Sequence, residues 1–114
     1  FEAAIPNGLT RDQQLELVRG FIQAELVGPH GVAADFSIHD EDPAPGRTRN
    51  PHFHATTSHR AILADGFSTK VCDVLNKEAE LMRLREAWAD HSNRMLERAQ
   101  IKVRVDHRSY AAQG

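Results

Sequence analysis

Apolar residues change their spacing several times along this chain, and each change marks an element. Phe1, Ala3 and Ile5 alternate with Glu2 and Ala4, and Pro6-Asn7-Gly8 interrupts them. That pattern predicts a short strand followed by a turn. After Thr10 the period becomes helical: Leu15, Val18, Ile22 and Leu26 form a stripe that Leu17 and Phe21 widen. Thr10 stands three residues before Gln13, the capping-box spacing that starts a helix. Gly28-Pro29 predicts its end, the glycine as a cap and the proline because it cannot continue. Alternation returns from Val32 to Asp40. Ala34, Phe36 and Ile38 share an apolar face; Ala33, Asp35, Ser37 and His39 share the other. Residues 41–49 hold three turn formers and no period, which predicts a loop. A third strand from His52 to about Ser58 puts His52, His54, Thr56 and Ser58 on one face. Phe53, Ala55 and Thr57 take the other.

Between Arg60 and Asn76 the pattern is weak. Asp65-Gly66 marks a turn within a loop that holds a short strand at most. Lys77 to Gln100 then reads as a long amphipathic helix. Leu81, Leu84, Trp88, Met95 and Ala99 lie along one stripe, with His91 and Ser92 filling its gap. Glu80–Arg83 and Asp90–Arg94 are spaced as helix-face ion pairs, each contributing about 0.2–0.5 kcal/mol. Ile101, Val103 and Val105 alternate with Lys102 and Arg104 and predict a last short strand. The order strand, helix, strand, strand, helix, strand predicts an α+β fold. Its antiparallel sheet carries two main helices packed on one face and the histidines on the other.

Composition narrows the class. With 114 residues, 40% of them apolar and 26% charged, residues 1–114 form a single globular domain. A net charge of -2 excludes a generally basic nucleic-acid binder, so phosphate contact must come from a local patch. Cys72 is the only cysteine, which excludes an internal disulfide and suits a reducing compartment. No apolar run approaches the ~18 residues of a membrane span. The chain opens on a strand-like segment without an initiator Met and is read as a piece of a larger protein.

The candidate chemistry lies in His52-Phe53-His54. On a strand, two imidazoles one residue apart share a face while Phe53 turns to the core. Antiparallel pairing with the preceding strand would bring His39 beside them. Three neutral imidazoles could hold a divalent ion with open positions, the arrangement of a catalytic metal. Solvated surface histidines are an equally good reading of the pattern alone. Arg60, with Arg47 and Arg49 in the loop, could grip phosphate as planar forks; the loop pair reads as well as solvated charge. His59 is placed at a strand end and His91 at the core edge. Trp88 belongs to the core, and Asp106, His107 and Arg108 to a capping or structural network.

Several segments, in order, resemble one family. Ile38-His39-Asp40, Asn50-Pro51-His52-Phe53-His54 and Arg60 are similar to the third motif of the MobA/MobL relaxases, plasmid-mobilisation nucleases of the His-hydrophobe-His superfamily. Asp65-Gly66-Phe67 with Lys70 is similar to that family's Gly-Phe-x-x-Lys segment. Leu84-Arg85-Glu86-Ala87-Trp88-Ala89, Asn93 and Leu96-Glu97 resemble its long helix. Val105-Asp106-His107-Arg108-Ser109 with Gln113-Gly114 resembles its terminal signature, and Phe1 to Pro6 the strand before its first helix. The resemblance implies the C-terminal part of a relaxase nuclease domain in the bacterial cytoplasm. It implies metal-dependent nicking of single-stranded DNA at an origin of transfer, by transesterification through a tyrosine. Accessory mobilisation proteins would be further partners. His39, His52 and His54 then become ligands of Mg²⁺, Mn²⁺ or Zn²⁺. The nucleophile has no counterpart among the matched residues and is expected upstream of Phe1; Tyr110, the only tyrosine, falls at a variable position. Ala55-Thr56-Thr57 departs from the bulkier apolar residues of the family. Two other classes fit the same histidines: a non-catalytic module binding metal and DNA, and a hydrolase of small phosphoesters.

Overall fold

The computed structural model describes residues 1–47, 49–73 and 77–106. Among the described residues, four strands and two long helical segments form an α+β fold, with β1 Glu2–Ala4, β2 Val32–His39, β3 His52–Leu63 and β4 Gly66–Val71. All strand pairs are antiparallel; β3 is central between β1 and β2, and β4 pairs with its far end. The helices lie on one face of this sheet, as the alternation predicts.

Phe53 explains why. Its ring is fully buried and meets Phe1, Phe21 and Trp88 at centroid distances of 6.0, 6.2 and 4.7 Å. Trp88 also donates its indole Nε1–H to the Ala4 carbonyl at 3.0 Å, fastening the long helix to β1. The aromatic cluster therefore joins sheet, first helix and last helix at one point directly behind His52 and His54. Burial of such rings dominates core energetics, and their tilted and edge-on contacts add to it.

The first helix, α1 Arg11–Ile22, starts where predicted. Thr10 Oγ1 accepts from Gln13 N at 3.2 Å, and Gln13 Oε1 accepts from Thr10 N at 2.8 Å. Gly28-Pro29 does not end it, contrary to the sequence expectation. The chain continues through a π-helical stretch, Gln23–Val27, into a last turn, α2 Gly28–His30, and stops at Gly31 with φ 66°. Pro29 has no N–H, and in an α-helix its ring would crowd the carbonyl four residues back. The wider π turn relieves that crowding, and the orphaned Glu25 carbonyl accepts from Arg83 Nη2 at 3.2 Å.

Further expectations differ from the structure. The third strand does not end near Ser58 but runs to Leu63, and the weak segment after it forms β4 across the Asp65-Gly66 turn. A bulge between Val32 and Ala34 interrupts the β2–β3 register. Ser58 Oγ plugs it, accepting from Ala33 N at 3.0 Å and donating to the Arg60 carbonyl at 2.8 Å. Ile101, Val103 and Val105 form no strand. Asn93 on the last helix, α3 Glu78–Arg98, both donates to the Val105 carbonyl and accepts from its N–H, at 3.0 and 2.7 Å. One side-chain amide thus replaces a neighbouring strand. On α3, Leu84, Trp88 and Met95 are buried, but Leu81 is 37% exposed. Arg94 reaches the Asp90 carbonyl at 3.4 Å instead of its carboxylate.

A partly exposed charge network clamps the two helical segments together. Arg83 donates to Glu25 and Glu80 at 2.7 Å each, while His91 lies 3.3 Å from Glu25 and His30 3.2 Å from Glu80. His91 also stands edge-on to Phe21 at 5.6 Å, the core-edge place expected for it. The Arg83 guanidinium holds both carboxyls below the usual glutamate range.

Candidate metal centre

Register alone assembles the three imidazoles. His39 is the direct partner of His52 across the β2–β3 ladder, and His54 is opposite Ser37. Because strand side chains alternate, all three rings stand on the face turned away from Phe53. Their centroids are 5.1 Å (His39–His52), 5.0 Å (His39–His54) and 5.4 Å (His52–His54) apart. His39 stacks on His52, and His54 meets both edge-on.

The site contains a carboxylate that sequence reasoning missed. Glu2 is the ladder partner of His54, and its Oε2 lies 3.4 Å from His54 Nδ1. Ligand atoms of Glu2, His52 and His54 lie within 4.8 Å of one another. Ligands bonded to one ion at about 2.0–2.2 Å are separated by no more than about 4.4 Å, so modest side-chain rotation satisfies that span. The signal was available, because Glu2 alternates out of the Phe1–Ala3–Ile5 face. Only the pairing of β1 with β3 was missing. The His39 ring completes the triangle, but its Nε2 is 3.3 Å from Ser37 Oγ and it is not part of that tightest set.

Tautomer control favours coordination. His52 Nδ1 lies 3.1 Å from the Asn50 carbonyl, an acceptor that requires the proton on Nδ1 and leaves the Nε2 lone pair outward. Imidazole nitrogens backed by a carboxylate suit a divalent ion of the Mn²⁺ or Zn²⁺ kind.

The three arginines part company. Arg49 is tied down: its Nε donates to Asp40 Oδ1 at 2.6 Å, and its Nη1 is 3.8 Å from Asp42. Asp40 also accepts from the buried Gln14 of α1 at 2.9 Å, and the two donors, Arg49 first, hold its carboxyl below the usual range. Arg47 lines a cavity of about 300 Å³ beside the triangle, with His39, Glu41, Pro43, Ala44, Asn50 and His52. Arg60 lies within the bulged stretch of β3 and pairs with Val71 of β4. Six residues of β3, bulge included, separate it from His54, a span on the order of 15 Å. His59 is exposed and keeps a backbone role, its carbonyl accepting from Cys72 N at 2.6 Å. His107, Arg108 and Tyr110 lie outside the described residues.

The family model described as the MobA/MobL family matches residues 1–114. The chain is 36% identical to Mobilization protein A of Escherichia coli, over 99% of this chain and 18% of that protein. It is 35% identical to the 43 kDa relaxation protein of Salmonella typhimurium, over 99% of this chain and 36% of that protein. With the conjugal transfer protein TraA of Agrobacterium fabrum it shares 31% identity, over 97% of this chain and 11% of that protein. The chain thus spans well under half the length of these relatives. A solved structure described as the molecular basis of vancomycin resistance transfer in Staphylococcus aureus superposes with a TM-score of 0.78. That likeness covers 96% of this chain and 56% of the other at 23% identity, a likeness of fold.

Proposed function

Because the chain belongs to the MobA/MobL family, we propose that it supplies the metal- and phosphodiester-binding part of a DNA-nicking reaction in plasmid mobilisation. The substrate is single-stranded DNA at an origin of transfer, nicked by transesterification. The observation that carries this reading is the triangle of His39, His52 and His54, with rings 5.0–5.4 Å apart on the solvent face of the sheet. His39, His52 and His54 would hold the ion, and Glu2 would orient His54 through the 3.4 Å contact. A bound Mg²⁺, Mn²⁺ or Zn²⁺ supplies Lewis-acid polarisation of a phosphoryl oxygen.

The chain's own residues do the rest. Phe53 fixes both neighbouring imidazoles by its burial. Asn50 holds the proton on His52 Nδ1, keeping Nε2 outward. Arg47 presents a guanidinium beside the triangle for the phosphate backbone. Arg49 keeps the loop in place through Asp40, and Arg60 meets the DNA strand farther along β3. The described residues include no tyrosine, and Tyr110→Phe is expected to leave metal and DNA binding unchanged. The test is calorimetric titration with Mn²⁺. The native chain binds one ion, and both His52→Ala and His54→Ala lose more than about 100-fold in affinity. Unchanged affinity in both variants rejects the metal assignment, and with it the nicking role.

A further inference from the structure

Two cavities flank His52 and Asn50. One, of about 380 Å³, opens toward β1 and is lined by Glu2, Ala3 and Ala4. The other, of about 300 Å³, opens toward the 41–49 loop and is lined by Glu41, Pro43, Ala44 and Arg47. Each has the size of a small-ligand site. A phosphodiester held at the histidines has a nucleoside on each side, so paired cavities match its shape.

The loop-side cavity is the more informative because its chemistry discriminates between ligands. Its lining holds one carboxylate, Glu41, and one guanidinium, Arg47, so it carries no net charge that would favour a bare anion. Pro43 and Ala44 give it apolar wall, and Asn50 offers both a donor and an acceptor. Glu41 is an acceptor only, fit for an amino group on a base edge. Arg47 can lie flat against a ring or reach the adjoining phosphate. The loop is also braced: Arg49 and Gln14 converge on Asp40, the residue after His39, so loop and triangle are held to α1 together.

We propose that this cavity is a subsite for the nucleobase next to the metal-held phosphate, and that it selects bases bearing an exocyclic amino group, with Glu41 as the selecting acceptor. It rests on the phosphodiester reading above and adds a specificity to it.

The test uses Mn²⁺-loaded chain and three diester probes, deoxycytidylyl-deoxycytidine, thymidylyl-thymidine and a baseless sugar-phosphate diester, with binding followed by calorimetry. The cytosine probe is expected to bind about fivefold or more tighter than the thymine probe, which lacks the amino group. Glu41→Leu, which has no acceptor, should remove that preference while Mn²⁺ affinity stays unchanged. Ala44→Phe, which fills the cavity from an exposed position, should bring both base-carrying probes down to the level of the baseless one. Equal binding of all three probes to the native chain overturns the subsite but leaves the phosphodiester reading standing. A cytosine preference that survives both variants also overturns it. Failure of every probe to bind the Mn²⁺-loaded native chain overturns the phosphodiester reading and the subsite with it.

Discussion

Glu2 and His54 face each other across the β1–β3 ladder, with the Glu2 carboxylate 3.4 Å from His54 Nδ1. A carboxylate in that place fixes the orientation of an imidazole and raises its basicity as a ligand. Glu2→Gln keeps the shape but loses the charge. Mn²⁺ affinity should fall about 10- to 100-fold, less than in His54→Ala. Calorimetry on the two variants ranks them, and a Glu2→Gln variant with native affinity would remove Glu2 from the site.

Phe53 couples the site to the core. Phe53→Ala deletes a fully buried ring that touches three other aromatics. It should cost about 3–5 kcal/mol of stability, read from urea unfolding. Phe53→Leu keeps most of the volume and should retain both fold and metal binding. Loss of metal binding in a folded Phe53→Leu variant would show that ring shape, beyond burial, sets the imidazoles.

Gly28 is required by close approach. A Cβ there would stand 2.8 Å from the Gln23 carbonyl oxygen, which accepts the Gly28 N–H in the π turn. Gly28→Ala should therefore destabilise by about 1–3 kcal/mol, although alanine favours helix in general. A neutral or stabilising result in thermal unfolding would mean that the π turn relaxes at no cost.

The Arg83 clamp makes stability sensitive to acid. Glu25 and Glu80 titrate below the usual glutamate range in the folded chain, mainly through hydrogen bonds from Arg83. A carboxyl lowered on folding contributes stability that is fully present above its unfolded pKa and lost as pH falls through its folded one. The native chain should lose stability on acidification below about pH 4.5, the unfolded glutamate range. Arg83→Met should be less stable at neutral pH and show a flatter acid limb. Unfolding midpoints measured between about pH 7 and pH 3 decide it; parallel curves for the two proteins would place the acid sensitivity elsewhere.

The loop arginines should separate by assay. Arg47→Ala should weaken single-stranded DNA binding by about 1 kcal/mol or more and reduce its salt dependence. Arg49→Ala should act chiefly on stability, because Arg49 already serves Asp40. Fluorescence anisotropy over a salt series, beside thermal unfolding, distinguishes them. DNA binding lost equally in both, with stability unchanged, would make the pair a joint phosphate clamp.

Local periodicity decided much of this protein in advance. Alternation in Phe1–Ile5, Val32–His39 and His52–Ala55 dictated strands with Phe53 inward and the imidazoles outward, because a side chain's face follows from its parity. The Thr10–Gln13 capping box fixed where α1 starts for the same reason: both partners lie within one turn. Wherever the deciding partner was distant in sequence, only the tertiary structure could choose. Glu2 joins the site because β1 happens to pair with β3, 52 residues on. Pro29 stays helical because Arg83 satisfies the Glu25 carbonyl it orphans. Val105 forms no strand because Asn93 already occupies its backbone groups. Arg47 and Arg49 look alike in sequence, and Asp40 with Gln14 behind it is what separates them. Faces and caps are short-range consequences of backbone geometry, whereas the pairing of polar groups is settled by whichever partner the packed core brings within reach.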